Sequence, residues 1–221
     1  PLPCNATDAA NLSGSPFIET PPMPLTRRRV RGAALIDDWT FFAATFSQSS
    51  NEVNVYVDLD SSTTDDALAT ASKASGFNPN QPTVAIGGVR PDGAGEAWQG
   101  QIDNVFFFNR ILDAEELTEI RDEGVEALLA LPTIPVDKLL GFYSFDDPEN
   151  PTADSSGMDN DLDPVAEPTY TETDGFKLGA YEFNGQQRLV APIDINPDVH
   201  PQLTMGAWVK TSSLAPGLRK V

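Results

Sequence analysis

Residues 100–117, GQIDNVFFFNRILDAEEL, restrict the fold of this chain more than any other stretch. Read with the period of two of a β-strand, the run alternates between two faces, and both faces carry large apolar side chains. One face holds Ile102, Asn104, Phe106 and Phe108, and the other holds Asp103, Val105, Phe107 and Asn109. A strand of this kind must be covered on both sides. The sequence therefore predicts a central strand with a packing layer on each face.

The residues after this strand predict one of those layers, a short helix. Asp113 can cap the helix N-terminus with Glu116 as its reciprocal capping partner. An apolar stripe follows at helical spacing: Leu117, Ile120 and Val125. We expect the helix to end near Gly124 or to continue no further than the prolines from residue 132 onward.

Several other stretches are strand-like, since they are rich in aromatic and β-branched residues and are bounded by turn-forming residues. They are residues 39–46, 53–58, 83–88, 139–145, 179–183, 188–192 and 203–210. Many short strands with one short helix favour an all-β fold, an antiparallel β-sandwich. Residues 1–34 are rich in Pro, Ser, Asn and Arg, and they predict an irregular arm or loop.

The net charge of the chain restricts the kinds of molecule that it can bind. With 33 acidic and 14 basic residues among 221, the formal net charge is −19, and such a surface repels nucleic acid. No run of about 18 apolar residues predicts a membrane span, and the first residues have no signal-peptide pattern. The acidic balance is compatible with affinity for calcium, with basic partners, or simply with high solubility in salt. The charge is concentrated in residues 146–174, which hold ten Asp or Glu and no Lys or Arg.

The arm carries the features of an extracellular or cell-surface protein. Asn5 and Asn11 each begin an N-glycosylation pattern. Cys4 is the only cysteine, so it is either a candidate for an intermolecular disulfide or a free thiol. The segment RRRVR is a candidate processing site, a basic patch that could pair with the acidic region of a neighbouring subunit, or a solvated loop. Its arginines are Arg27, Arg28, Arg29 and Arg31.

Two sets of motifs resemble one family, the laminin G-like, concanavalin A-like jelly rolls related to pentraxins. WTFFAATF, VNVYVD, VAIGG and GQIDNVFFFNRILDAEEL, within residues 35–131, resemble the C-terminal half of that fold. LGFYSFDD, ADSSGMDNDL, GFKLGAYEFNG and LTMGAWVKTSS, within residues 132–221, resemble its N-terminal half. The ending therefore precedes the beginning. The halves form either one permuted sandwich or parts of two consecutive domains, and half-sandwiches could also be completed by neighbouring chains.

The resemblance implies a structural calcium. In similar family members the D-S-S-G loop and the aspartate of the G-x-I-D motif lie together and hold this ion. Carried over to this chain, the ligands are Asp103, Asp154, the carbonyl of Gly157, and Asn160. Oxygen ligands at short intervals suit calcium. The alternative is an ordinary Asx-rich turn and an aspartate that caps a strand.

These patterns predict a non-catalytic extracellular binding or adhesion module. Its partners would be other protein chains, possibly copies of itself, or a glycan. One alternative is a structural subunit of an extracellular filament or sheath, and a weaker one is a carbohydrate-binding module of a larger enzyme. The strands lack the paired carboxylates of glycosidases, and no G-x-S-x-G elbow occurs. Trp39, Trp98 and Trp208 lie within or beside strand patterns, which favours core packing over sugar stacking.

Overall fold

A computed structural model describes residues 38–58, 69–72, 83–88, 98–130 and 138–211 of the chain. All of them lie within one compact unit, Ala34–Val221. For residues 69–72 only the backbone is described. The N-terminal arm, with every site predicted there, lies outside the described residues.

Eleven strands and two helices are described. In the first half they are β1 (Thr40–Ser47), β2 (Glu52–Val57), β3 (Ala69–Ser72), β4 (Val84–Ile86), β5 (Gln99–Phe108), α1 (Ala114–Glu123) and α2 (Val125–Ala130). In the second half they are β6 (Leu139–Tyr143), β7 (Asp163–Val165), β8 (Thr169–Thr171), β9 (Ala180–Asn184), β10 (Arg188–Ala191) and β11 (Gln202–Thr211).

The strands form two antiparallel sheets. The large sheet has eight strands in the order β3-β2-β1-β11-β5-β9-β8, with β6 also paired to β5. The small sheet has three strands in the order β4-β10-β7. The prediction of an antiparallel β-sandwich is therefore confirmed. Strands from before and after residue 131 pair in the same sheet, since β5 lies beside β6, β9 and β11.

The predicted helix is present, and a second short helix follows it. Asp113 and Glu116 form the predicted capping box at the start of α1. Gly124 closes α1 by donating its N–H to the carbonyl of Ile120, and its φ of 101° falls in a region that favours glycine. The backbone turns at Gly124, and α2 begins at the next residue. Val125 belongs to α2 for this reason.

Strand β5 is covered on both faces, as its sequence predicts. One face packs against the helices, in a cluster with Phe41, Leu112, Leu117 and Leu128. The other face packs against the small sheet, in a cluster with Ile86, Leu189 and Ile193. The tryptophans are part of this packing. Trp208 is buried in the helix-side cluster, Trp39 packs against the same cluster, and Trp98 packs against the other one.

The predicted assignment of β5 side chains to faces was wrong at Ile102. Phe106 and Phe108 face the helices, but Ile102 lies with Val105 and Phe107 on the other side. The cause is a β-bulge at Asn104, whose φ is 51°. Two residues of β5, Asn104 and Val105, oppose the single residue Ala207 of β11 there, because Phe106 lies opposite Gly206 whereas Asp103 lies opposite Trp208. The bulge shifts the alternation by one residue and turns Asp103 to the helix side of the sheet.

Candidate cation site and acidic loops

The bulge places the carboxylate of Asp103 in a buried position beside the loop Gly175–Gly179. Asp103 is fully buried. Its Oδ2 accepts hydrogen bonds from the backbone N–H of Phe176 at 2.8 Å and of Lys177 at 3.2 Å. Within the described part of the chain, its Oδ1 has no hydrogen-bond partner. The pKa of Asp103 is raised from 3.8 to about 6, mainly by burial and in smaller part by the charge of Asp146, against the effect of the surrounding N–H groups.

A second aspartate, Asp146, lies at the same loop. Its Oδ1 accepts a hydrogen bond from the N–H of Gly179 at 3.2 Å. Burial is the main reason that the pKa of Asp146 is raised; the Lys177 ammonium opposes this, and the Glu126 carboxylate adds to it. Asp146 was not among the predicted ligands, although it lies within the motif LGFYSFDD that carries part of the family resemblance.

Glycine at position 179 allows this close approach. A Cβ added to Gly179 would lie only 2.0 Å from the carbonyl oxygen of Phe145, so no other residue fits without moving the backbone. Phe145 itself has a φ of 58°, which is unusual for a bulky residue. The left-handed conformation is therefore unfavourable directly before Asp146, whereas directly after Asp103 it falls on Asn104, a residue type that tolerates it.

The D-S-S-G loop is organised around Asp154. Its Oδ1 accepts from the N–H of Phe142 at 3.0 Å and of Ser156 at 2.9 Å, and its Oδ2 accepts from the N–H of Asn160 at 3.1 Å. Its own N–H donates to Asp161 at 2.8 Å. Both carboxylate oxygens are therefore already paired with peptide groups. We call this arrangement, Asp154 with its three N–H donors, the Asp154 clamp.

Asn160 and Gly157 complete this loop. The side-chain amide of Asn160 donates to the carbonyl of Leu140 at 2.8 Å, and its backbone carbonyl accepts from the Tyr143 hydroxyl at 2.7 Å. Gly157 has a φ of 78°, and a Cβ added there would have no atom within 4 Å. Glycine is favoured at this position by backbone conformation rather than by crowding.

The structure thus divides the predicted calcium ligands into two groups. Asp154, Gly157 and Asn160 share one loop, which is tied to β6. Asp103 is bonded to a different loop, Gly175–Gly179, where its acidic neighbour is Asp146. Over the described ranges, no group of three or more His, Cys, Asp or Glu side chains is arranged to hold a metal ion. The calcium site of four ligands stays a prediction.

The loops between β6 and β9 present the acidic surface. Asp103 is buried and Asp146 is half-buried, but most of the acidic residues between 146 and 174 are exposed. The exposed residues are Asp147, Glu149, Asp159, Asp161, Asp163, Glu167, Glu172 and Asp174. We call this set the acidic loop surface.

The remaining predicted sites lie outside the described residues. These are Cys4, the glycosylation candidates Asn5 and Asn11, and the basic segment with Arg27, Arg28, Arg29 and Arg31. Neither helix that the structure describes is long and apolar enough to span a membrane.

Comparison with known proteins gives one match. Residues 26–118 match a laminin G family model, described as the concanavalin A-like lectin/glucanases superfamily. The match covers 118 − 26 + 1 = 93 of the 221 residues. Neither the curated proteins nor the solved structures gave a significant match. The match supports a binding module in general terms, and it confirms the predicted resemblance: over residues 26–118 this chain carries a laminin G-like, concanavalin A-like jelly-roll sequence.

Proposed function

We propose that this protein is a non-catalytic, extracellular laminin G-like module that binds a basic segment of another protein chain, such as a copy of itself. One observation carries the proposal. The acidic loop surface has eight exposed carboxylates within the segment that connects β6 to β9. No Lys or Arg lies between residues 146 and 174, although Asp174 forms an ion pair with Lys210 at 3.8 Å.

Such a surface attracts basic partners over long range. Exposed like charges on neighbouring loops raise the association rate with an oppositely charged chain, and this effect weakens as salt is added. The chain contains a suitable segment of its own, RRRVR at residues 27–31. In an assembly of copies, the basic segment of one chain would meet the acidic loop surface of the next.

The proposal includes a structural cation. Asp103 fits such an ion, because its buried Oδ1 has no hydrogen-bond partner among the described residues. Calcium, when bound, supplies positive charge that offsets the cost of burying a carboxylate. It would stabilise the folded state by mass action.

The binding proposal can be tested with a peptide of residues 24–34, PLTRRRVRGAA. The receptor is the chain with its own four arginines at 27, 28, 29 and 31 changed to glutamine, so that they cannot compete. One receptor variant removes three exposed loop charges: Asp163→Asn, Glu167→Gln and Glu172→Gln. The control removes three charges from α1: Glu115→Gln, Glu119→Gln and Glu123→Gln.

We expect the loop variant to weaken peptide binding about tenfold at low salt, since each exposed ion pair contributes roughly 0.2–1 kcal/mol. The helix control should bind nearly as well as the receptor without loop changes. Equal binding by both variants, or no binding at low salt, would contradict a basic partner for this surface.

A second candidate, a subunit of an extracellular filament, is favoured by an apolar sheet face. Phe42 is 37% exposed. It lies between Val57 of β2 and Ala207 of β11 in the same row of the sheet. The next rows place half-buried Val55 and Val53 on the same face. Packing of this face against another copy would bury it.

Sedimentation of the chain over a range of concentrations tests this candidate, with Phe42→Glu as the variant. A filament subunit should associate, and the variant should remain monomeric. A wild-type monomer at every concentration would exclude it. The carbohydrate-binding alternative has less support, because the described tryptophans pack against the two clusters.

A further inference from the structure

We propose that Asp146, not the D-S-S-G loop, is the partner of Asp103 in the cation site, and that the Asp154 clamp holds its loop without a cation. This inference rests on the structural cation of the proposed function and deepens it. It replaces three of the four ligands that the family resemblance implies.

The loop Gly175–Gly179 orients both aspartates in the same way. Its N–H groups take one oxygen of each carboxylate, Oδ2 of Asp103 and Oδ1 of Asp146. The three donors are within four consecutive residues, so the two carboxylates lie at one short loop. Such N–H groups fix the orientation of ligands, as the hydrogen-bonding partners around metal ligands do.

The two aspartates also lie just beyond a pair of neighbours in the sheet. Val105 of β5 lies opposite Tyr143 of β6, where the pairing of these strands ends. Asp103 precedes Val105 by two residues, on the other side of the bulge at Asn104, and Asp146 follows Tyr143 by three. The Asp146 charge acts on Asp103, in agreement with this placement.

The Oδ1 atom of Asp103, which has no hydrogen-bond partner among the described residues, indicates a cation site. A fully buried carboxylate oxygen without a hydrogen-bond partner among the described residues is costly. A second carboxylate nearby increases that cost by repulsion. A hard divalent cation removes both costs together, because calcium takes carboxylate oxygens and completes its shell with carbonyl oxygens and water.

In the D-S-S-G loop, both carboxylate oxygens of Asp154 already have hydrogen-bond partners, so Asp154 does not need a cation. All three N–H donors of the Asp154 clamp lie within 3.1 Å of its oxygens. Three bonds occupy the two oxygens of Asp154, which leaves fewer lone pairs for a cation than at Asp103, where Oδ1 accepts none. The amide nitrogen of Asn160 already points at the carbonyl of Leu140. The loop is therefore closed by peptide hydrogen bonds, which is the Asx-turn alternative raised by the sequence.

The experiment uses the full chain, stripped with chelator and titrated with calcium chloride. The melting temperature is one readout. Luminescence of terbium in place of calcium is the second, since Trp208 lies opposite Asp103 and can sensitise it. The variants are Asp103→Asn, Asp146→Asn and Asp154→Asn, and each keeps the size of the side chain.

We expect calcium to raise the melting temperature of the wild type and of Asp154→Asn, with similar dissociation constants. Asp103→Asn and Asp146→Asn should each weaken binding at least about tenfold, since even changes outside the ligand shell weaken metal binding by that much. Loss of binding in Asp154→Asn with retention in Asp146→Asn would overturn the assignment. No effect of calcium on the wild type would also overturn it, while the peptide experiment would still decide the binding function.

Discussion

Replacing Asp154 by alanine should destabilise the protein, and the loss of stability should depend on the hydrogen bonds of the Asp154 clamp. The substitution leaves the N–H groups of Phe142, Ser156 and Asn160 without their acceptor. A hydrogen bond to a charged group contributes about 1.5–3 kcal/mol. Ser156 and Asn160 are only half-buried, so water can replace the acceptor there. Phe142 is buried within β6, so its N–H is harder to hydrate than those of Ser156 and Asn160. We therefore expect a total loss of about 2–4 kcal/mol.

The assay is urea unfolding followed by tryptophan fluorescence, with and without chelator. At this chain length the loss corresponds to a fall in melting temperature of roughly 5–15 °C. Asp154→Asn keeps one carbonyl acceptor and should lose about half as much. The control is Asp159→Asn in the same loop. Asp159 is exposed and has a φ of 60°, a conformation that asparagine tolerates, so we expect a change within about 0.5 kcal/mol.

The loss should be the same in calcium and in chelator, because the clamp consists of peptide hydrogen bonds. An Asp154→Ala protein as stable as the Asp159→Asn control would refute the hydrogen-bond reasoning. A loss that appears only when calcium is present would instead show that Asp154 acts through the ion.

Three further predictions concern the same fold. In urea unfolding, Gly179→Ala should lower the stability of the protein by more than about 3 kcal/mol, because its Cβ would clash with the Phe145 carbonyl. Gly157→Ala lies in open space and should cost only about 1 kcal/mol of backbone strain. Equal losses in the two variants would refute the crowding at Gly179. In chelator, stability should fall by about 3 kcal/mol as pH rises from about 4 to 6, since the unfolded state releases the Asp103 proton near pH 3.8 and the folded state keeps it to about 6. Asp103→Asn should flatten that profile, and an unchanged slope would count against Asp103 as its source. Asp113→Ala should cost about 1 kcal/mol by removing the α1 cap, and calorimetry should show a lower melting temperature.

The sequence predicted the elements with strong patterns. The double-sided apolar run marked β5, and the capping pair at Asp113 and Glu116 marked the start of α1. The three-residue strands β7 and β8, DPV and TYT, were not predicted, because they are too short to show alternation. They exist because β9 and β10 provide partners for them.

The site was predicted only in part, and the reasons are physical. The shift of Ile102 to the other face depends on a bulge at Asn104. The alternation of apolar and polar residues in the sequence does not show where a bulge inserts an extra residue into the strand. The proximity of Asp146 to Asp103 depends on the loop Gly175–Gly179, which is distant from both in the chain. The Asp154 clamp, by contrast, is local, and the Asx-rich pattern already indicated it.

The pairing of β1 with β11 has a consequence for biosynthesis. Phe41 lies opposite Trp208, so two neighbours in the sheet are 208 − 41 = 167 positions apart in the chain. During translation, β1 and β5 leave the ribosome long before the strand that joins them exists. At about 5–20 residues per second, roughly 5–20 s pass between the synthesis of β5 and that of β11. Contacts of such long range fold slowly. Throughout that time the three consecutive phenylalanines of β5 lack the strand β11 that lies beside them in the folded sheet.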